Sequence, residues 1–274
     1  MNILQWSLLQ NAGCAGGCKF CGLSVDAETD RQVTATEAEF QATFDQARGN
    51  GARVELVFAT VAADQRQVFD FVAGKGEVIA ANPDVELAIN PGICTREGFY
   101  AQLAAHGFDR YRNNLETSRR LFRELVPRRP QAQDLKLESL ALAREAGLKV
   151  DTGWLCGLGE SDEDIADVLD LLNQSQPDSI TLNFFDPRET AEAFDHTEPS
   201  VEAGRHRLSA LREHFPEVEI TLGGAYELWL GVGAPEIAQA DGVYVGRFLD
   251  HGLRQAEEGK LFRIGTASGS ALPT

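Results

Sequence analysis

Residues 148–184 read LKVDTGWLCGLGESDEDIADVLDLLNQSQPDSITLNF. Leu148 to Thr152 is a short strand-like run, and Ser179 to Phe184 is a second. Between them Ser161 to Ser175 has helical periodicity, with Ile165, Val168, Leu169 and Leu172 on one face. Ser161, followed three residues later by Asp164, predicts an N-terminal cap. Just upstream, Leu135 to Ala146 is an amphipathic helix closed by Gly147. Helix, strand, helix, strand without hairpin spacing predicts a parallel sheet.

The same alternation runs outward in both directions. Towards the N-terminus come strand candidates Asn2 to Leu9, Arg53 to Phe58, Val85 to Ile89 and Arg110 to Arg112. Helical stretches separate them at Thr36 to Gly49, Asp64 to Ala80 and Arg96 to Ala105, the last with Phe99, Leu103 and Ala104 inward. Towards the C-terminus follow helix Val201 to His214, strand Val218 to Leu222, a partly helical Glu227 to Ala240, strand Gly242 to Val245 and helix Arg247 to Ala256. Eight such cycles predict an α/β fold of TIM type, a (β/α)8 or nearly complete parallel barrel over residues 1–265. A doubly wound sheet is the competing architecture. The Ser/Gly/Ala-rich residues 266–274 read as a flexible tail.

The chain's 274 residues include 25 Lys plus Arg and 42 Asp plus Glu, a net charge of -17, and 43% are hydrophobic. That supports a sizeable core and argues against binding nucleic acid or anionic membranes through bulk charge. No apolar run is long enough for a membrane span, and no basic-then-apolar leader opens the chain. The expected location is a reducing or anaerobic cytoplasm. Five cysteines are an odd number, and three of them fall within eight residues, which reads as metal ligation rather than disulfide pairing.

Those three form Cys14-Ala-Gly-Gly-Cys18-Lys-Phe-Cys21, directly after the first strand. In a parallel barrel this is the C-terminal rim, where active-site loops lie. Three thiolates can hold three irons of a [4Fe-4S] cube and leave the fourth open to another ligand. Gly16 and Gly17 relax the backbone around it. A zinc knuckle with a distant fourth ligand, or metal-free reactive thiols, are the alternatives; ligand softness and spacing favour iron and sulfur. Lys19 offsets cluster charge or is simply exposed.

CxxxCxxC with an aromatic, Phe20, before the last cysteine resembles the signature of radical S-adenosylmethionine (SAM) enzymes. Residues 107–118, GFDRYRNNLETS, resemble the GLDYYNHNLDTS segment of biotin synthases. Residues 146–160 resemble their AGIKVCSGGIVGLGE segment, and Asp241 to Arg247 is similar to their GANSIFYG. The resemblance extends to HydE and to the methylornithine-forming mutase. It implies one [4Fe-4S] cluster on Cys14, Cys18 and Cys21 and SAM as cosubstrate. Reductive cleavage of SAM there yields a 5'-deoxyadenosyl radical. It further implies that Asn114 and Glu116 hold the ribose and amino group of SAM. Lys136, with Arg144 as a fallback, stands near an arginine that meets the cosubstrate carboxylate. Asn183 matches a substrate-contacting asparagine. A small-molecule substrate and a low-potential electron donor such as ferredoxin or flavodoxin are the implied partners.

The departures from biotin synthase narrow the reaction. Its sulfur-donating auxiliary cluster uses three cysteines and an arginine, and here the matching places fall at Phe58 or a neighbour, Ala88, Asp151 and near Gly224. Rearrangement, fragmentation or hydrogen abstraction therefore ranks above sulfur insertion. Cys94 and Cys156 each follow a strand; they are candidate cluster ligands, hydrogen-atom donors or sulfur donors, or else small buried hydrophobes. Asp151 is a candidate for a substrate amine, or for a local Lys or Arg. Tyr226 and Trp229 line the cavity or pack a helix on the barrel. Arg188 binds a substrate carboxylate or forms a solvated salt link. Tyr111 reads as core. Gly157-Leu158-Gly159-Glu160 lacks GxGxxG and reads as a tight turn, or as a loop beside the cosubstrate adenine. Two other functions remain open: a lipoyl synthase-like or biotin synthase-like sulfur inserter using a second cluster or a partner protein, and a non-catalytic iron–sulfur scaffold.

Overall fold

Eight parallel strands close into a barrel in sequence order: β1 (Asn2–Leu8), β2 (Arg53–Phe58), β3 (Leu87–Asn90), β4 (Arg110–Arg112), β5 (Lys149–Cys156), β6 (Ser179–Phe184), β7 (Glu219–Leu222) and β8 (Gly242–Val245). The computed structural model describes residues 2–8, 14–22, 24, 37–58, 60–189, 192–231 and 234–245. Closure rests on β1, which pairs with β2 on one side and β8 on the other. The helices are α1 (Glu37–Asn50), α2 (Gln65–Gly74), α3 (Gly76–Ala80), α4 (Phe99–Ala105), α5 (Arg119–Leu125), α6 (Ala132–Glu145), α7 (Asp162–Ser175), α8 (Val201–His214) and α9 (Tyr226–Leu230). No helix among the described residues is long and apolar enough to cross a membrane. The expected helix at 247–256 and the tail at 266–274 lie outside the described residues.

Local chemistry explains most element boundaries. Ser161 caps α7 and, with Asp164, forms a reciprocal capping box. Its buried face is Ile165, Val168, Leu171 and Leu172, with Leu169 only partly buried. The stretch expected as one helix over Asp64 to Ala80 divides at Lys75, between Gly74 and Gly76. In α4 Tyr100, not Ala104, joins Phe99 and Leu103 inside; Ala104 is exposed. Helix α5 was not expected. Its signals are Ser118, whose hydroxyl accepts from Leu121 N at 3.2 Å, and buried Leu121, Phe122 and Leu125.

Strand alternation divides the barrel into two environments. On β2, Val54, Leu56 and Phe58 join the apolar group between sheet and helices, whereas Arg53 and Glu55 bond across the barrel interior. Phe58 therefore points away from the interior, and its neighbour Val57 takes the inward position.

Charges close the N-terminal end of the barrel. Arg53 pairs with Glu86 and Glu219, each at 2.9 Å. Arg110 pairs with Glu86 at 2.8 Å and Asp151 at 2.6 Å. Arg53 and Arg110 are both buried. The two guanidiniums hold the Glu86 carboxyl down at about 2, against its cost of burial. A carboxyl lowered in the fold stabilises above its unfolded pKa and loses that contribution as pH falls through the folded value. Between pH ~4.5 and ~2 the protein is expected to lose on the order of 2 kcal/mol through this group. Glu86→Gln should flatten that limb of a urea-denaturation pH series; an unchanged limb would refute the assignment.

Candidate active site

The Cys loop leaves β1 at the C-terminal rim and is held there by backbone bonds. Lys19 N donates to Leu125 O at 3.0 Å, Cys21 N to Cys18 O at 3.2 Å and Ser24 N to Cys21 O at 3.0 Å. Gly17 has φ 65°, and a Cβ there would lie 2.6 Å from Arg128 Cδ. A Cβ on Gly16 would lie 3.3 Å from Cys14 Sγ and 3.5 Å from Cys18 Sγ. Both sulfurs thus lie close over Gly16, and Val61, whose Cγ2 would stand 2.5 Å from that Cβ, is what keeps the position bare. Phe20 is buried with Ile93, Leu121, Phe122, Leu125 and Leu158, and Cys18 and Cys21 pack against the same group. Phe20 anchors the loop.

This donor set fits a [4Fe-4S] cube. Among the described residues no three ligating side chains gather tightly enough for a single ion. A cube instead distributes its three cysteines over three irons. Burial and the neighbouring Cys21 push the Cys18 thiol up to about 12; Lys136 acts in the opposite sense and Glu116 in the same sense. Lys136 and Glu116 therefore lie within electrostatic reach of the loop.

Asn114, Glu116 and Lys136 form one unit. Lys136 Nζ donates to Asn114 O at 2.6 Å and to Glu116 Oε1 at 3.3 Å. Glu116 holds φ 72°, unusual for a side chain with a Cβ. Two backbone bonds fix it: Glu116 N to Gly153 O at 3.1 Å, and Leu155 N to Glu116 O at 2.6 Å. Strain held this way is typical of binding sites. Arg144 is not part of the unit. It donates to Ser175 O at 2.8 Å and also bonds Gln176 O, tying α6 to the end of α7 that precedes β6. That is the opposite end of the barrel.

Sequence reading missed the support beneath Asn114. Arg112 Nε donates to Asn114 Oδ1 at 3.0 Å, and Arg112 Nη1 donates to Glu55 Oε2 at 2.8 Å. Tyr244 bonds both Arg112 and Glu55, and its ring lies 4.6 Å from the guanidinium carbon. Burial pushes the Glu55 carboxyl up, and its Oε1 has no partner. The only hint in the sequence was alternate charge, Arg110 and Arg112, on a short strand.

Two amides each need a glycine opposite. A Cβ on Gly153 would stand 2.5 Å from Asn114 Oδ1, and one on Gly223 would stand 1.9 Å from Asn183 Oδ1. Asn183 accepts from Gly224 N at 3.3 Å, and its Nδ2 is buried without a partner. Gly223→Ala should displace the Asn183 amide and lower turnover on the order of 10²-fold, because small misplacements in a site cost that much. The thermal midpoint should fall less than turnover, since the severest clash meets the end of the Asn183 side chain and only a lesser one meets Thr181 Cγ2 at 2.9 Å. Unchanged turnover would show that the seat of Asn183 is immaterial.

Other expected site residues stand elsewhere. Asp151 lies at the N-terminal floor, 2% exposed, 2.6 Å from Arg110 and 3.6 Å from Arg53; the local-arginine alternative holds. Cys156 belongs to β5 rather than following it, and faces the apolar group outside the barrel. Cys94 is buried in the same group, its carbonyl accepting from Tyr100 Oη at 2.6 Å. Burial raises both thiols. Tyr226 and Trp229 pack there too, with Trp229 Nε1 donating to Phe185 O at 2.8 Å. Tyr111 is core, as expected. Arg188 forks onto Asp186 at 2.8 and 2.6 Å. Glu160 closes its turn by accepting from Gly157 N at 2.9 Å.

Comparison with known proteins agrees with this geometry. Residues 11–172 match the radical SAM superfamily. The biotin synthase of Rhodococcus jostii (strain RHA1) is 30% identical over 256 residues, covering 91% of this chain and 74% of that protein. Among solved structures, the FeFe-hydrogenase maturase HydG from Carboxydothermus hydrogenoformans superposes with TM-score 0.71 at 16% identity, over 93% of this chain and 65% of HydG. Methylornithine synthase (PylB) superposes with TM-score 0.67 at 21% identity, over 88% and 71%. These two likenesses concern the fold. With the Cys loop at the barrel rim and a relative at 30% identity, the chain belongs to the radical SAM superfamily as a biotin synthase-like enzyme that uses a [4Fe-4S] cluster and SAM.

Proposed function

We propose that this enzyme acts on a small polar metabolite of cofactor or amino-acid-related biosynthesis, by rearrangement or fragmentation. One observation carries the choice over sulfur insertion. The places that match biotin synthase's auxiliary-cluster cysteines fall at Phe58 or its neighbour Val57, at Ala88 and at Asp151; Phe58 packs in the apolar group outside the barrel, and Asp151 is already engaged by Arg110 and Arg53. That leaves no thiolate set there to hold a sulfur-donating cluster.

Cys14, Cys18 and Cys21 would hold the cluster, which would supply the electron for reductive cleavage of SAM. Phe20 and its apolar neighbours anchor the loop against α5. Glu116 presents a carboxylate suited to an amine or to vicinal hydroxyls, and Lys136 holds it in place. Asn114 Oδ1 accepts from Arg112, which fixes the amide and assigns its N–H groups the role of donors to the cosubstrate. Asn183 Nδ2 is a buried donor that a substrate oxygen would satisfy.

Anaerobic reconstitution with iron and sulfide counting, followed by 5'-deoxyadenosine assay, tests the reading. About four irons per chain with 5'-deoxyadenosine formed support it. Iron well beyond that would restore sulfur insertion. An intact cluster that leaves SAM uncleaved under strong reduction would favour a scaffold.

A further inference from the structure

In a chain of net charge -17, residues 119–129 hold five arginines against one glutamate. This segment is α5 and the turn after it, and it backs the Cys loop directly. Its apolar side, Leu121, Phe122, Leu125 and Val126, packs beneath Phe20, and Leu125 O receives Lys19 N. Its other side faces outward and is basic.

The arginines divide by their surroundings. Arg119 pairs with Asp167 and Asp170, and Arg120 with Asp164 and Glu124. The ties to Asp164, Asp167 and Asp170 hold α5 against α7, that to Glu124 lies within α5, and none needs a further purpose. Arg128 lays its side-chain carbons over Gly17. Arg123 and Arg129 are exposed and have no ion pair among the described residues. With 42 acidic residues in the chain, two arginines beside the loop that have no ion pair among the described residues are out of keeping with its charge. Across the loop the rim changes sign. Glu192 N donates to Lys19 O, and Glu192, Asp195 and Glu198 are exposed.

We propose that the rim formed by Arg123, Arg128 and Arg129 is the docking surface for an acidic protein that carries a low-potential one-electron centre. The proposal rests on the cluster reading above. The chemistry at the Cys loop consumes one electron, which the donor gives up and the loop's iron–sulfur group accepts, so the donor has to approach this rim. An acidic donor is repelled by most of this chain and attracted here, a field that steers encounter and fixes orientation. The acidic edge at 192–198 pushes it towards α5. Nucleic acid fits less well, because a few arginines on so acidic a chain neutralise few phosphates.

Binding, rather than turnover, is the primary readout. Affinity of an oxidised flavodoxin for the full chain is measured by calorimetry at several salt concentrations, for wild type and Arg123→Glu/Arg129→Glu. The variant is expected to bind about tenfold or more weakly with a shallower salt dependence, and to cleave SAM normally with dithionite. Circular dichroism verifies its fold. An acidic ferredoxin with the same charge dependence would equally support the surface. Unchanged affinity in the variant, no binding of either donor to wild type, or preferential binding of a DNA oligonucleotide would overturn it. Loss of dithionite-driven cleavage in wild type would instead refute the cluster reading, leaving the binding result to judge the surface.

Discussion

Cys18→Ala is expected to reduce 5'-deoxyadenosine formation by at least about 10³-fold, equivalent to about 4 kcal/mol of barrel-rim chemistry. On the proposed ligation Cys18 supplies one of three thiolates, and its Sγ is one of the two that lie close over Gly16. Without it a cube lacks a ligand that no nearby described thiol replaces, since Cys94 and Cys156 face the apolar group between sheet and helices. Iron content after reconstitution should fall with activity. Stability should change by only about 1 kcal/mol, the usual scale for a small truncation at a half-buried position. The contrast is Cys156→Ser. It should keep full iron content but lose about 1–3 kcal/mol, because a hydroxyl replaces a thiol where water is absent. Iron lost from the Cys156 variant, or retained with full turnover in the Cys18 variant, would invert the assignment.

The second large effect concerns stability. Asp151→Asn should lower the free energy of unfolding by about 3–5 kcal/mol, because it leaves Arg110 and Arg53 buried with less counter-charge. The denaturant midpoint should fall with little change in slope. The KM for substrate should stay near wild type in the folded fraction. The opposite pattern, full stability with a raised KM, would return Asp151 to the substrate role that its position on a barrel strand had suggested.

The alternating runs, the Ser161 cap and the Cys spacing made the fold and the metal loop legible in the sequence, because each is a local signal. Periodicity over a few residues distinguishes strand from helix. Three thiols within eight residues need no tertiary contact to suggest ligation. The resemblance in residues 107–118 likewise located Asn114 and Glu116. Lys136, inferred less directly, lies beside them in the structure.

Which way the strand residues face, and what they meet across the barrel, was decided only by tertiary structure. Strand alternation has a period of two, so an uncertainty of one residue in a boundary moves a side chain from cavity to core. Ending strand five at Thr152 left Cys156 free to enter the cavity; extending it to Cys156 turns that thiol outward. The pairing of Asp151 with arginines from β2 and β4 joins residues distant in sequence, as does the Glu55–Arg112–Tyr244 group under Asn114. No local pattern encodes such contacts. They follow from closure of the barrel, which forces inward charges out of water and requires each to find a partner on another strand.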